Sequence, residues 1–141
     1  MSTVLVPFDG SQQSRDALEF ACEKFSADEL TVLYVVDTSI THQPEQYTGM
    51  KLSEIYDQRE REGENHLDEA DAIASTFGTS ITTVMERGEP ARTILKQIEK
   101  QNADHVVMGS QRTGRLERYF LGSVAERIVV RTDASVTVIR S

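Results

Sequence analysis

Apolar and polar residues alternate along this chain in blocks that predict strands and helices in turn. Apolar residues recur at helical spacing from Ala17 to Phe25, and the same periodicity predicts helices over residues 52–77, from Pro90 onward and over 123–131. Five further segments have the apolar, β-branched composition of strands: residues 3–8, 30–36, 80–85, 104–109 and 135–139.

This alternation predicts a single doubly wound α/β domain over residues 1–141, because no break in composition divides the chain. The almost continuous apolar run 30–36 is typical of a strand buried on both faces of a parallel sheet. Right-handed crossovers then place helices on both faces. We interpret residues 37–50 as a loop and residues 86–89 as a turn. Gly63 weakens the long helix by about 1 kcal/mol relative to alanine, which is compatible with a kink.

Composition excludes several classes of protein. The net charge of -8 disfavours nucleic-acid binding over the whole surface. No apolar run approaches the roughly 20 residues that span a bilayer, and the first residues lack the pattern of a secretory signal. Cys22 is the lone cysteine, and the three histidines are dispersed, so we expect neither a disulfide nor a metal site. We therefore predict a cytoplasmic protein that binds neither nucleic acid nor a membrane.

Positive charge and glycine are concentrated in residues 109–131, which contain five arginines against two glutamates and three of the eight glycines. Glycine and positive charge between a strand and a helix suit a phosphate cradle. Gly109 lets the backbone approach a ligand closely, and Gly122 with Ser123 opens the last helix, where free N–H groups and the helix dipole favour an anion. The alternative is that the glycines serve turns and the arginines form a solvated face.

Two other strand ends supply candidate ligand contacts, since ligands of doubly wound folds bind beyond the carboxyl ends of the strands. Asp9 can accept hydrogen bonds from a base or a ribose; alternatively, Asp9 and Ser11 only organise the turn and cap the helix. Val35 can flank a flat base, or it is an ordinary buried strand end. We interpret Asp37 as the opening residue of the loop.

Four segments resemble the universal stress protein family: VLVPFDGSQQSRDALEFA, RGEPARTIL, ADHVVMGS followed by LGSVAERIV, and SVTVIR. The resemblance covers essentially the whole chain. It implies a five-stranded parallel sheet of order 3-2-1-4-5 in a Rossmann-like fold, and a homodimer through the C-terminal strands. It also implies a stress-response regulatory role. No recognisable nucleophile, general base or metal–carboxylate pair supports an enzyme, and slow ATP hydrolysis is the alternative left open.

The nucleotide-binding branch of that family holds ATP with the pattern Gly-x2-Gly-x9-Gly-[Ser/Thr]. Carried onto this chain, the first glycine is Gly109, the third is Gly122, and Ser123 follows it. The middle glycine is replaced by Arg112. Its side chain either fills the space where phosphates run or pairs with them through its guanidinium group.

The resemblance further implies that Asp9 and Val35 contact adenine and ribose. Pro7 and Met108 would line the base pocket, and Val124 would offer a backbone N–H. Two hypotheses follow. In one, the protein binds ATP, with Mg²⁺, or a related adenine nucleotide. In the other, favoured by the residue in place of the middle glycine, it is a homodimer that docks partner proteins and binds no nucleotide.

Overall fold

A computed structural model describes residues 2–39, 51–110 and 122–140 of the chain. The strands are β1 (Thr3–Pro7), β2 (Glu29–Asp37), β3 (Ile81–Gly88), β4 (His105–Gly109) and β5 (Ser135–Ile139). The helices are α1 (Gln12–Lys24), α2 (Leu52–Thr76), α3 (Pro90–Gln101) and α4 (Ser123–Arg131). All nine predicted strands and helices are therefore present in the predicted order. Most of the predicted loop 37–50 lies outside the described residues.

The five strands form one parallel sheet of order β3-β2-β1-β4-β5. The predicted five-stranded, doubly wound architecture and its strand order are confirmed. Strand β1 lies in the middle of the sheet, so Val4, Leu5 and Val6 are fully buried. The chain winds from β1 toward β3 on one side and from β4 to β5 on the other. The strand order consequently reverses between β1 and β4.

Two apolar layers cover the sheet, because successive residues of a strand point to opposite faces. Val4 and Val6 belong to the layer that also contains buried residues of α1 and α2, such as Leu18 and Leu67. Leu5 belongs to the layer that contains buried residues of α3 and α4. Helices thus pack on both faces, as the crossovers require.

The predicted turn at residues 86–89 is wrong in its position, because β3 continues to Gly88. Glu86 and Arg87 pair in register with Val35 and Val36 of β2, so the ladder extends past the apolar part of the strand. Charged residues are tolerated there because β3 is an edge strand and one of its sides faces solvent.

Glycine in the middle of α2 serves packing and does not interrupt the helix, which is continuous from Leu52 to Thr76. A Cβ added at Gly63 would lie 2.6 Å from Cδ1 of Tyr34. The missing side chain therefore lets α2 approach the ring of Tyr34, and this close contact explains a residue that helix propensity alone disfavours.

Both helices that follow β1 and β3 begin at the residues that the sequence predicts. Ser11 caps α1 by accepting a 3.2 Å hydrogen bond from Ser14 N. Pro90 opens α3, and Glu89 caps it by accepting a 3.1 Å hydrogen bond from Arg92 N. These caps fix where the chain leaves the sheet edge and turns into each helix.

Candidate functional site

A cavity of about 400 Å³ lies at the carboxyl edge of the sheet, where β1 and β4 part. Ligands of doubly wound folds bind at this point of strand reversal. Eight of the nine predicted site residues line the cavity: Pro7, Asp9, Val35, Met108, Gly109, Gly122, Ser123 and Val124. The ninth, Arg112, lies outside the described residues. The structure therefore brings the described candidates together, while their contacts with a ligand stay a prediction.

The segment after β1 is shaped by hydrogen bonds around Asp9. Its Oδ1 accepts a 2.9 Å hydrogen bond from Ser11 N, and Ser14 Oγ donates to the Ser11 carbonyl at 2.9 Å. Gly10 lies between them with a φ of +84°, a conformation that favours glycine. Asp9 thus organises the turn and also lines the cavity. Asp9 therefore has a structural role in the turn, and its contact with a base or a ribose stays a prediction.

The end of β2 contributes to the cavity from both faces of the sheet. Val35 packs against the layer of α3 and α4, whereas Tyr34 belongs to the layer of α1 and α2. The ring of Tyr34 stacks on His66, with centroids 5.7 Å apart. The cavity therefore reaches both layers. Asp37 also lines it, and its Oδ1 accepts a 2.8 Å hydrogen bond from Ser39 N, consistent with the predicted opening of a loop.

The phenol of Tyr34 lies near side chains of both charge signs. Burial raises its pKa, and the carboxylates of Glu62 and Asp9 raise it further. The guanidinium group of Arg59 acts in the opposite direction. Tyr34 is therefore neutral at physiological pH and presents a hydroxyl and a ring edge to its surroundings.

At the end of β4, Gly109 lies in close contact with α1. A Cβ added there would lie 2.6 Å from the backbone carbon of Gln13 in α1. The sequence predicts that Gly109 lets the backbone approach a ligand closely, and that stays a prediction; the element that approaches this glycine in the described structure is α1. Met108, beside it, is buried and lines the cavity.

The first turn of α4 forms a polar part of the cavity wall. Gly122 precedes the helix with a φ of +97° and provides no capping side chain. The first N–H groups of a helix have no intrahelical acceptor, and the dipole gives them partial positive charge. With the Ser123 hydroxyl, they present hydrogen-bond donors to the cavity, an arrangement that suits an anion.

Several cavity residues were not identified from the sequence as site residues, and three of them come from α2 and α3. Pro90 and Ile94, from the start of α3, add apolar surface to that of Val35 and Met108. Arg59 comes from α2 and adds a positive charge. The run that contains Arg59 is typical of a solvated helix face, so only the packing of α2 beside β2 reveals its position.

An ion pair between Glu89 and Arg127 ties the start of α3 to α4 near this cavity. Both guanidinium Nη atoms donate to the carboxylate, the Nη2 contact with Oε2 measuring 3.2 Å. Burial raises the pKa of Glu89, but hydrogen bonds from Arg127 and from Arg92 N outweigh it, so the pKa lies below its ordinary value. The pair links two helices that line the cavity.

Neither a metal centre nor a membrane span is found in the part of the chain that the structure describes. No group of three or more His, Cys, Asp or Glu side chains there is placed to hold a metal ion. No helix there is long and apolar enough to cross a bilayer.

Comparisons with known proteins agree with this architecture. The model of the Universal stress protein family matches residues 1–140. The universal stress protein MJ0531 of Methanocaldococcus jannaschii is 35% identical over 141 residues, covering 97% of this chain and 81% of that protein. The structure of UspA from Lactobacillus plantarum has a TM-score of 0.83 at 27% identity, covering 99% of this chain and 97% of that one.

Two more distant structures share the fold and carry adenine ligands. A universal stress protein in complex with cAMP has a TM-score of 0.71 at 22% identity, covering 99% of this chain and 96% of that one. An Arabidopsis thaliana family member with AMP bound has a TM-score of 0.71 at 19% identity, covering 99% and 92%.

Fold and cavity together define a doubly wound α/β protein with a ligand-sized crevice at its point of strand reversal. Given the family match over residues 1–140 and the 35% identity with MJ0531, the chain belongs to the universal stress protein family. The resemblance inferred from the sequence is thereby confirmed.

Proposed function

We propose that this protein is a regulatory member of its family that binds an adenine nucleotide, ATP or a related one, in the cavity described above. One observation carries the proposal: an apolar slot and the N-terminus of α4 open into the same crevice of about 400 Å³. That volume lies within the range of about 300–1,000 Å³ typical of small-molecule sites.

The two parts of the cavity match the two parts of a nucleotide. Pro7, Val35 and Met108 provide apolar surface for a flat base, and Val124, in the first turn of α4, would offer it a backbone N–H. The donors around Ser123 suit a phosphate. Asp9 also lines the cavity, and we assign it the role of an acceptor for ribose hydroxyls. The cAMP and AMP complexes of the two distant relatives support an adenine ligand.

A metal ion enters this proposal only with the nucleotide. ATP carries Mg²⁺ on its phosphates, and a site with one or two carboxylates suffices to receive it. Asp9 and Asp37 line the cavity and are the described carboxylates able to do so. We expect the nucleotide to bind without being hydrolysed. Its binding would change how ordered the loops are or change the surface that contacts a partner. We also propose that the protein acts in the cytoplasm.

Calorimetric titration of nucleotide-free protein with ATP, AMP and cAMP, with and without Mg²⁺, tests the proposal directly. We expect saturable binding of at least one of them, weakened in Asp9→Asn. Asp71→Asn is the matched control, because it removes the same charge from an exposed position of α2. Absence of binding by the unmodified protein for all three nucleotides would refute the proposal.

The second hypothesis, a homodimer that docks partner proteins without a nucleotide, is favoured by Arg112 in place of the middle glycine. Arg112→Gly tests it, since a gain of ATP binding by a non-binding parent supports this alternative. The dimer itself is compatible with either function. Strand β5 is an edge of the described sheet, and Val136 and Val138 are only partly buried.

An edge strand of this kind pairs readily with a second copy. Light scattering at assay concentrations should then give twice the monomer mass of 15.8 kDa. A monomer mass would contradict the dimer and leave nucleotide binding unaffected.

A further inference from the structure

The described cavity wall carries more negative than positive side chains, although the glycine pattern of Gly109 and Gly122 predicts a site for an anion. Among the lining residues that the structure describes, Asp9 and Asp37 carry negative charge, and Arg59 is the one cation. Arg59 lies on α2, which packs on the face of the sheet opposite α4. Without it, the described wall would present two carboxylates and no positive charge, which would repel an anionic ligand.

Arg59 is also in an environment where its charge acts strongly. The side chain is half-buried and its Nε is buried. A guanidinium group stays protonated at any physiological pH, and removal of water around it strengthens its interactions with nearby charges. Its influence on the phenol of Tyr34 places it within range of the same wall.

We propose that Arg59 makes the cavity selective for anionic ligands, so that nucleotides bind in preference to nucleosides, through contact between its guanidinium group and a phosphate. This inference rests on the proposed function, because it assigns a role within the same site. The N-terminus of α4 supplies donors for a phosphate from one side. Arg59 supplies, from the other side, a positive charge that partly offsets the negative charges of Asp9 and Asp37.

Arg59→Gln tests the inference against a control from the same helix. Arg61→Gln changes the net charge equally, but Arg61 is exposed and does not line the cavity. Calorimetry with adenosine, AMP and ATP should show unchanged adenosine binding in Arg59→Gln. AMP and ATP should weaken by about 10- to 100-fold, the range expected when a hydrogen bond to a charged group is lost. Arg61→Gln should bind all three ligands like the unmodified protein.

A conservative variant guards against a folding defect. Arg59→Lys keeps the charge and should retain a preference for AMP over adenosine, with weaker binding because the planar fork is lost. Loss of that preference in a folded Arg59→Lys protein would indicate that shape, and not charge, determines selectivity, and would overturn the inference. The salt dependence of ATP binding should also become shallower in Arg59→Gln than in Arg61→Gln.

Two outcomes separate this inference from the proposed function. If Arg59→Gln weakens adenosine and ATP by the same factor, Arg59 only positions neighbours such as Asp9, and the selectivity role is wrong while nucleotide binding stands. If the protein binds no adenine ligand, yet inorganic tripolyphosphate raises the melting temperature of the unmodified protein and not of Arg59→Gln, the anion role stands and the nucleotide proposal fails. Absence of binding by every probe refutes both.

Discussion

Replacement of Gly109 by alanine decides whether this glycine serves the fold or the ligand. The added Cβ would lie 2.6 Å from the backbone carbon of Gln13 and 2.7 Å from its carbonyl oxygen, whereas real Cβ contacts essentially never fall below 3.0 Å. Because these atoms belong to the main chain of α1, no side-chain rotation relieves the overlap. The helix must move away from β4, even when the cavity is empty.

The expected loss of folding stability depends on which atoms the added Cβ overlaps. Overpacking lowers the free energy of unfolding by about 1–3 kcal/mol. We expect a loss of about 3 kcal/mol for Gly109→Ala, because main-chain atoms move aside less easily than side-chain atoms. That loss corresponds to a decrease in melting temperature of about 10 °C for a domain of this size. Gly78→Ala is the control: its φ is +66° and nothing lies within 4 Å of the added Cβ. It carries only conformational strain, about 1–2 kcal/mol.

Urea unfolding of the nucleotide-free variants measures both costs. We expect unchanged m-values and a larger loss of stability for Gly109→Ala than for Gly78→Ala. A Gly109→Ala protein within about 0.5 kcal/mol of the unmodified protein, but with impaired nucleotide affinity, would show that the glycine serves the ligand and that the packing argument is wrong.

Three further predictions concern stability. Leu5→Ala should destabilise the nucleotide-free protein by about 2–5 kcal/mol in urea, because Leu5 is fully buried, while Val130→Ala, at an 81% exposed position, should have almost no effect. The pKa of Glu89 is lowered in the folded protein, so its ionised form stabilises the fold above its ordinary pKa of 4.5. This contribution is lost as the pH falls through the lower folded-state pKa. At pH 7 we therefore expect Glu89→Gln to unfold at a lower urea concentration than the unmodified protein, and we expect the difference to shrink in acid. Burial lowers the pKa of His105, with Asp28 opposing the shift, so protonation of His105 favours the unfolded chain. The melting temperature should therefore fall as the pH drops below about 6.5. If the melting temperature of His105→Gln falls as steeply with pH as that of the unmodified protein, this reasoning is wrong.

Local signals were sufficient for the elements of the fold. Ser11 and Pro90 mark helix starts by hydrogen bonding and fixed φ, which need no tertiary information. The end of β3 escaped prediction because Glu86 and Arg87 have the composition of a turn, and only pairing with β2 extends the strand. Propensity describes isolated segments, whereas an edge strand is defined by its neighbour.

The site was predictable to the extent that topology determines it. Parallel strands end at the same edge, so residues following β1, β2 and β4 must meet there once the strand order is known. Arg59 was not predictable in this way. Its contribution depends on where α2 packs along β2, and that depends on Gly63 accommodating the ring of Tyr34. A contact between a helix face and a distant strand leaves no periodic signal in the sequence.

The adjacent residues Tyr34 and Val35 project to opposite faces of the sheet, yet both border the crevice. A ligand bound there would contact residues of both apolar layers and would restrain the helices on both faces of the sheet. Its binding should therefore slow amide exchange in α2 and in α3 together, although these helices lie on opposite sides of the sheet. In this way a small ligand can affect two surfaces that lie on opposite sides of the sheet.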